Sequence, residues 1–370
     1  MDDGKTLTFV ELFAGGGGLL RGCADAGMRC LAAVEYDHLS CETLRMNAER
    51  SPGIYPSDVV EADVRGMDWS RWRGVDVLTG GPPCQPFSLG GKAGASDDGR
   101  DMFPAMSDAV ATLMPKAFIV ENVSGLLRPR FGDYHRYILE RLTHPRMARG
   151  DGEAWIDHLH RLEHAGQGDY AVSEALADAA DYGVPQRRRR IIIIGVRRDL
   201  GVPAITLPKP THSGAALAAV QRSGEYWTRR GITDRGVLAP ETGSDGLLPW
   251  VTVRDALSVP KADNDPMDSL IPATSGTQYP GHTGSDPDLP SKAIKAGVHG
   301  VPGGENMMMT DHGPMPYSVR DAARLQTFPD DVMFSGSRSQ AMRQVGNAVP
   351  VTLARIAATA VIRAAKRGKM

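Results

Sequence analysis

The chain has 370 residues, of which 41% are hydrophobic and 23% charged, as is typical of a folded globular protein. Its net charge is −2, which excludes a globally basic protein, so any nucleic-acid surface must be a local patch. The longest apolar runs are too short to cross a bilayer, and the first residues lack the layout of a signal peptide. The four cysteines form no CxxC pair, so we expect neither a metal site nor disulfides, but reduced thiols in the cytoplasm.

The first third of the chain predicts a strand, a glycine-rich loop and a helix. Residues 6–13 are apolar and β-prone, and residues 14–18, AGGGG, separate them from a helix. This is the first unit of a doubly wound sheet, in which glycines allow close approach to a ligand. A second strand ends at Glu35, where an acid typically binds ribose hydroxyls, and a third leads to Asp63. Phe13 could stack on the ligand, and core packing explains it equally well.

One cysteine stands in a rigid loop. Residues 80–88, GGPPCQPFS, follow an apolar run at residues 75–78 that is typical of a buried parallel strand. The prolines fix φ, so the thiol of Cys84 is held in one direction at the carboxyl edge of the sheet, where such folds keep their chemistry. We interpret Cys84 as a nucleophile rather than a packing cysteine. The small residues at 88–96 predict a loop that closes beside it.

Two later segments add charged groups to the predicted sheet. Residues 117–123, AFIVENV, form a buried-strand pattern that places Glu121 at the same edge as Cys84 if the strands are parallel. Residues 186–190, QRRRR, enter a run of isoleucines typical of a strand buried on both faces. Because side chains alternate along a strand, Arg188 and Arg190 share one face, and we expect one arginine pair to point into the site. An exposed basic edge is the alternative.

Taken in order, these segments resemble the DNA cytosine-5 methyltransferases. Two further stretches fit that family, residues 320–329, RDAARLQTFP, and residues 344–350, QVGNAVP. The match spans nearly the whole chain, and PCQ together with ENV is highly specific. The resemblance implies transfer of a methyl group from S-adenosylmethionine to carbon 5 of cytosine, with S-adenosylhomocysteine as the product.

The resemblance also implies an architecture and a set of site residues. The expected fold is α/β, with a doubly wound, Rossmann-like methyltransferase domain at residues 1–197. A smaller, irregular, mostly-β target-recognition domain is expected at 198–343, and residues 344–370 would complete the catalytic domain. The catalytic residues carried over are Cys84, Glu121, Arg188 and Arg190. The cofactor-binding residues carried over are Phe13, Gly15, Gly17, Glu35, Asp63, Val64, Pro83, Asn347 and Val349.

The chemistry explains why these residue types are needed. Carbon 5 of cytosine becomes nucleophilic only after a thiolate adds to carbon 6, and this step needs a cysteine in electropositive surroundings. Glu121 can supply the proton or hydrogen bond at ring nitrogen 3, and an arginine can hold the base carbonyl. The base that removes the carbon-5 proton is not identified by the sequence.

The expected substrate is duplex DNA, whose target cytosine must be rotated out of the helix to reach Cys84. Candidate DNA contacts in the variable region are Arg222, Arg229, Arg230, Lys292, Lys295 and His299. We expect a monomer in the bacterial cytoplasm, with no membrane partner. A restriction endonuclease that acts separately is a candidate partner.

Three other functions share some of these features. A tRNA cytosine-5 methyltransferase would have the same motifs, but the variable region of about 115 residues favours sequence choice on duplex DNA. A non-catalytic DNA-binding regulator would need no thiol. A dinucleotide oxidoreductase does not fit, because Gly22 comes one residue too late for GxGxxG.

Overall fold

A seven-stranded sheet organises the protein. The computed structural model describes residues 6–83, 101–232, 246–269, 284–297 and 306–367. The strand order is β3-β2-β1-β4-β5-β7-β6, in which β1 to β5 pair in parallel and β7 is antiparallel to both of its neighbours. The strands are β1 Thr8–Leu12, β2 Arg29–Glu35, β3 Val59–Glu61, β4 Val77–Gly80, β5 Ala117–Val123, β6 Tyr170–Asp178 and β7 Arg189–Arg197. The predicted α/β class with a doubly wound sheet is confirmed.

Helices cover both faces of this sheet. The helices of the described chain are α1 Gly18–Asp25, α2 His38–Arg50, α3 Phe103–Leu113, α4 Gly132–Thr143, α5 Trp155–Glu163, α6 Gly214–Arg222, α7 Glu225–Thr228, α8 Val253–Leu257, α9 Pro266–Ser269, α10 Val319–Leu325, α11 Arg338–Asn347 and α12 Val351–Arg367, of which α6 to α9 lie away from the sheet. Successive strand residues enter opposite cores, as the pleat requires. Phe9 packs in the core that contains α1 and α12, whereas Val10 packs in the core that contains α3 and α4.

The C-terminal helix packs directly on the glycine-rich start of the chain. A Cβ added at Gly22 in α1 would overlap that of Ala354 in α12 and lie 2.5 Å from the carbonyl oxygen of Val351. Only glycine permits this approach of two backbones. By length and hydropathy, the run Arg338–Arg367 could span a membrane, but 67% of its most apolar stretch is buried. This burial identifies it as a core element.

The region from residue 198 to 316 is less regular. Its described strands are short: β8 His212–Ser213, β9 Leu248–Pro249, β10 Met307–Thr310 and β11 Gly313–Pro316. Four short helices, α6 to α9, accompany them, so the described part is mixed rather than mostly β. The alanine-rich run of α6 explains the difference, because its good helix formers begin at a Ser213 side chain that caps the helix. The division of the chain into domains stays a prediction.

Candidate active site

The loop between β1 and α1 has an unusual backbone. Phe13, Gly15 and Gly17 have φ angles of +56°, +51° and +82°, which lie in the left-handed region. For any residue other than glycine, this conformation is energetically unfavourable. Glu35 at the end of β2 holds this loop, because its Oε2 accepts a 2.7 Å hydrogen bond from the Gly15 amide. Its Oε1 accepts from the amides of Tyr36 and Asp37. Four of the predicted cofactor residues therefore meet at one strand edge: Phe13, Gly15, Gly17 and Glu35.

Asp63 and Val64 lie beside Glu35, since the amide of Ala62 donates to the Glu35 carbonyl. Hydrogen bonds from Arg65 lower the pKa of the Asp63 carboxyl. Val64 is buried in the core of α3 and α4. An aromatic residue missed by the sequence analysis, Tyr36, is 77% exposed directly after Glu35. Its position after a strand-terminal acid was the available signal.

The C-terminal segment that is predicted to bind the cofactor lies against the same loop. Asn347 is the exposed last residue of α11, and Val349 is buried two residues later. A Cβ added at Gly18 would overlap the carbonyl oxygen of Val349. The fold thus brings residues from the two ends of the chain into backbone contact.

Glu11 is a buried acid beneath the glycine loop that sequence reasoning missed. Its side chain is 1% exposed and accepts a 3.0 Å hydrogen bond from the Thr79 hydroxyl. Burial raises its pKa to about 8, although the bonds from Thr79 and the Leu20 backbone oppose this shift. An acid inside a fully buried strand pattern was the signal for it.

The end of β4 leads towards the predicted nucleophile. The Pro82 carbonyl accepts a 3.1 Å hydrogen bond from the side chain of Asn122 in β5. A Cβ added at Gly81 would lie 3.4 Å from Glu121 Oε2, so this strand end and Glu121 are neighbours. Pro83 is exposed. Cys84 and the predicted closing loop at 88–96 lie outside the described residues.

Glu121 is buried and paired with Arg190. The Arg190 Nε lies 2.8 Å from Glu121 Oε1, across the β5–β7 pairing that sets Val123 opposite Arg190. The contact is an ion pair, and Oε1 has no well-aligned hydrogen-bond donor among the described residues. Burial raises the pKa of Glu121, and the charges of Arg190 and Arg188 oppose this shift. The site therefore holds a buried carboxyl beside a cation.

The other arginines of the QRRRR motif have three different surroundings. Arg187 pairs with Asp178 and lies over the Trp250 ring, and Arg189 is exposed. Arg188 is buried, with its guanidinium bonded to backbone carbonyls rather than to a carboxylate. Arg188 and Arg190 are thus more buried than Arg187 and Arg189, as the alternation predicts, but only Arg190 of the inward pair reaches Glu121.

The predicted DNA contacts are mostly engaged within the chain. Arg229 pairs with Glu225, and Arg230 pairs with Asp255 while lying over the Tyr226 ring. Arg222, Lys292 and Lys295 also interact with other residues. His299 lies outside the described residues. Within the described ranges, no group of three His, Cys, Asp or Glu residues could hold a metal ion.

Comparison with known proteins identifies the family. The model of the C-5 cytosine-specific DNA methylases matches residues 7–145, 147–241 and 254–363. The chain belongs to this family. It is therefore an enzyme, a DNA cytosine-5 methyltransferase, as the sequence motifs predicted.

Two bacterial relatives and one structure from a yeast are similar to this methyltransferase. It is 33% identical to the type II methyltransferase M.PspPI of Psychrobacter sp. (strain TA137), over 98% of this chain and 80% of that protein. It is 30% identical to the type II methyltransferase M.NgoMIV of Neisseria gonorrhoeae, over 98% of this chain and 99% of that protein. The S. pombe Dnmt2 methyltransferase has a similar fold, with a TM-score of 0.59 at 15% identity over 97% of this chain and 99% of that chain.

Proposed function

We propose that this methyltransferase modifies a cytosine rotated out of duplex DNA at a specific sequence, with Cys84, Glu121 and Arg190 carrying the chemistry. The observation that supports this most is the pair between buried Glu121 in β5 and half-buried Arg190 in β7. It lies beside the strand end that runs into Cys84. Burying a carboxyl costs free energy, and a protein that only binds DNA would not require it here.

Each group has a defined role in this scheme. The Cys84 thiolate adds to carbon 6, and the electron pair of the 5,6 double bond moves to carbon 5. Glu121, whose raised pKa favours the protonated form, donates to ring nitrogen 3. Arg190 binds the base carbonyl and stabilises the developing negative charge. After carbon 5 has gained the methyl group, a base removes its proton and the carbon–sulfur bond breaks.

The cofactor would be S-adenosylmethionine, which supplies an electrophilic methyl group when bound. The described residues fit it: Glu35 offers a carboxylate to ribose hydroxyls, and nothing lies within 4 Å of where a Gly15 Cβ would be. Tyr36 presents an exposed ring on which an adenine could stack. The residues that would hold the cofactor are Phe13, Gly15, Gly17, Glu35, Tyr36, Asp63, Val64, Pro83, Asn347 and Val349.

The surroundings of the reaction follow from the family. Residues 198–343 would select the DNA sequence, while 1–197 and 344–370 would form the catalytic unit. The type II relatives suggest that a restriction endonuclease recognises the same site as a separate protein. The enzyme would act as a monomer in the bacterial cytoplasm.

The test is methyl transfer from labelled S-adenosylmethionine to duplex DNA and, separately, to tRNA. We expect label on DNA with the wild type, none with Cys84→Ala, and unchanged label with Cys30→Ala, a matched control in β2. Duplexes containing 5-fluorocytosine should trap a covalent complex with wild type only, because the carbon-5 fluorine cannot leave as a proton does. Label on tRNA alone would show that the substrate is RNA rather than DNA. Full activity of Cys84→Ala would refute the nucleophile.

A further inference from the structure

The guanidinium of Arg188 donates hydrogen bonds to the backbone on both sides of Asn347. Its Nη2 donates to the carbonyls of Gly346 at 2.7 Å and Ala348 at 3.1 Å. Its Nη1 donates to the carbonyl of Ile294 at 3.0 Å. Arg188 directly precedes β7, so its side chain links the start of this strand to Ile294 and to residues 346–348.

Two buried glutamines complete the same network. Gln186 donates to Gln326 Oε1 and to the Leu325 carbonyl, both at 3.1 Å. Gln326 in turn donates to the carbonyls of Val345 at 2.7 Å and Ala348 at 3.2 Å. The backbone carbonyls around the end of α11 are therefore held by side chains from elsewhere in the chain.

This end of a helix needs such partners. The last carbonyls of a helix have no donor within it, and a cation at the C-terminus interacts favourably with the helix dipole. Burial and the neighbouring charge of Arg190 lower the pKa of Arg188. Burying the charged guanidinium therefore costs free energy, which its hydrogen bonds to the carbonyls must offset. A Cβ at Gly346 would lie 2.5 Å from the Ala296 amide nitrogen, so the segment is also closely packed.

We propose that Arg188 is a positioning residue, which fixes residues 346–348 so that Asn347 faces the cofactor, and that it does not contact the base. This proposal rests on the proposed cofactor role of Asn347. Arg188 and Arg190 share a strand face but act on different partners. Arg190 lies beside Glu121, where it would contact the base. Arg188 would act on cofactor binding indirectly, because it holds the backbone around Asn347.

The two roles are separated by measuring cofactor affinity without DNA. Calorimetry with S-adenosylhomocysteine should give Arg188→Met an affinity lower by on the order of ten- to a hundredfold, since it loses buried bonds from a charged donor. Arg189→Met, the same change at the exposed neighbour, should bind like wild type. Arg190→Met should bind within about twofold but fail in methyl transfer. Wild-type affinity in a folded Arg188→Met would overturn the proposal.

A second readout needs no cofactor. In Arg188→Lys, which keeps the charge but cannot reach all three carbonyls, amide hydrogen exchange should rise at residues 344–350 and stay unchanged in β1 and β4. Unchanged exchange at 344–350 would overturn the proposal even if Arg188→Met does not fold. If the wild type binds no S-adenosylhomocysteine, the proposed cofactor fails, and the exchange result still decides whether Arg188 positions this segment.

Discussion

Different interactions stabilise the candidate active site at the edge of the sheet and the region from residue 198 to 316. At the site, strand register, buried backbone contacts and close glycine packing hold Glu121 and the loop after β1. In the other region, apolar burial around α6 and α7 is limited to a small cluster of Leu217, Tyr226 and Trp227. Val253, Met267 and Ile294 of this region are buried in the main core, and charged pairs such as Arg230–Asp255 and Arg254–Asp288 connect its short elements.

This difference suggests how one chemistry can serve many DNA sequences. A buried, register-locked site tolerates little change, because each displacement is transmitted through close packing. Polar pairs on short elements can be exchanged at a smaller cost. The region that is proposed to read DNA can therefore vary while the reacting groups keep their geometry.

The largest effect should come from Glu121→Gln. An amide cannot donate the proton that ring nitrogen 3 needs, so the single-turnover rate should fall on the order of 10²- to 10⁴-fold. Because burial raises the pKa of Glu121, the wild-type rate should decline as the pH rises through that pKa, and the residual rate of the variant should lack this decline. Rates measured from pH 5 to 9 check both points. A rate within threefold of wild type would remove Glu121 from the mechanism.

Gly22→Ala tests how closely α1 packs on α12 at the face of the sheet. The added methyl group would overlap Ala354 and crowd the Val351 carbonyl, both in α12, and backbone atoms cannot yield as a side chain can. We expect the free energy of unfolding to fall by about 3 kcal/mol or more in urea. Gly132→Ala is the control, since nothing lies within 4 Å of its added methyl. Equal stability of the two variants would contradict close packing of α1 on α12.

Asp288→Asn probes the other region. The buried Asp288 accepts hydrogen bonds from the Tyr226 hydroxyl at 2.9 Å and from Arg254 Nε at 2.6 Å. Its loss should cost about 1–3 kcal/mol of stability and weaken DNA binding, with affinity for S-adenosylhomocysteine unchanged. Arg229→Met, which removes an exposed pair with Glu225, should change stability by less than about 0.5 kcal/mol. Loss of cofactor affinity in Asp288→Asn would show that the two regions are not independent.

The sequence was most informative where a local pattern determines structure. The strand–glycine–helix order and the isoleucine run of β7 predicted the sheet, and strand alternation predicted which arginines share a face. The acceptors of Arg188 could not be predicted, because Gly346 and Ala348 lie about 160 residues further along and alternation says nothing about them. Glu11 was overlooked because its neighbours follow a buried-strand pattern, and α6 because the region is rich in glycine and proline on average.

Glu11 makes folding of this protein a proton-consuming reaction at neutral pH. Its carboxyl is ionised in the unfolded chain above the ordinary pKa of 4.5, but protonated in the folded state up to about pH 8. The stability that it contributes is complete below pH 4.5 and is lost as the pH rises to about 8, at roughly 1.4 kcal/mol per pH unit. Relative to Glu11→Gln, the wild type should therefore melt at progressively lower temperature between pH 5 and 9, and parallel curves would exclude this titration. The heat of unfolding in this range should also depend on the ionisation enthalpy of the buffer, which receives the released proton.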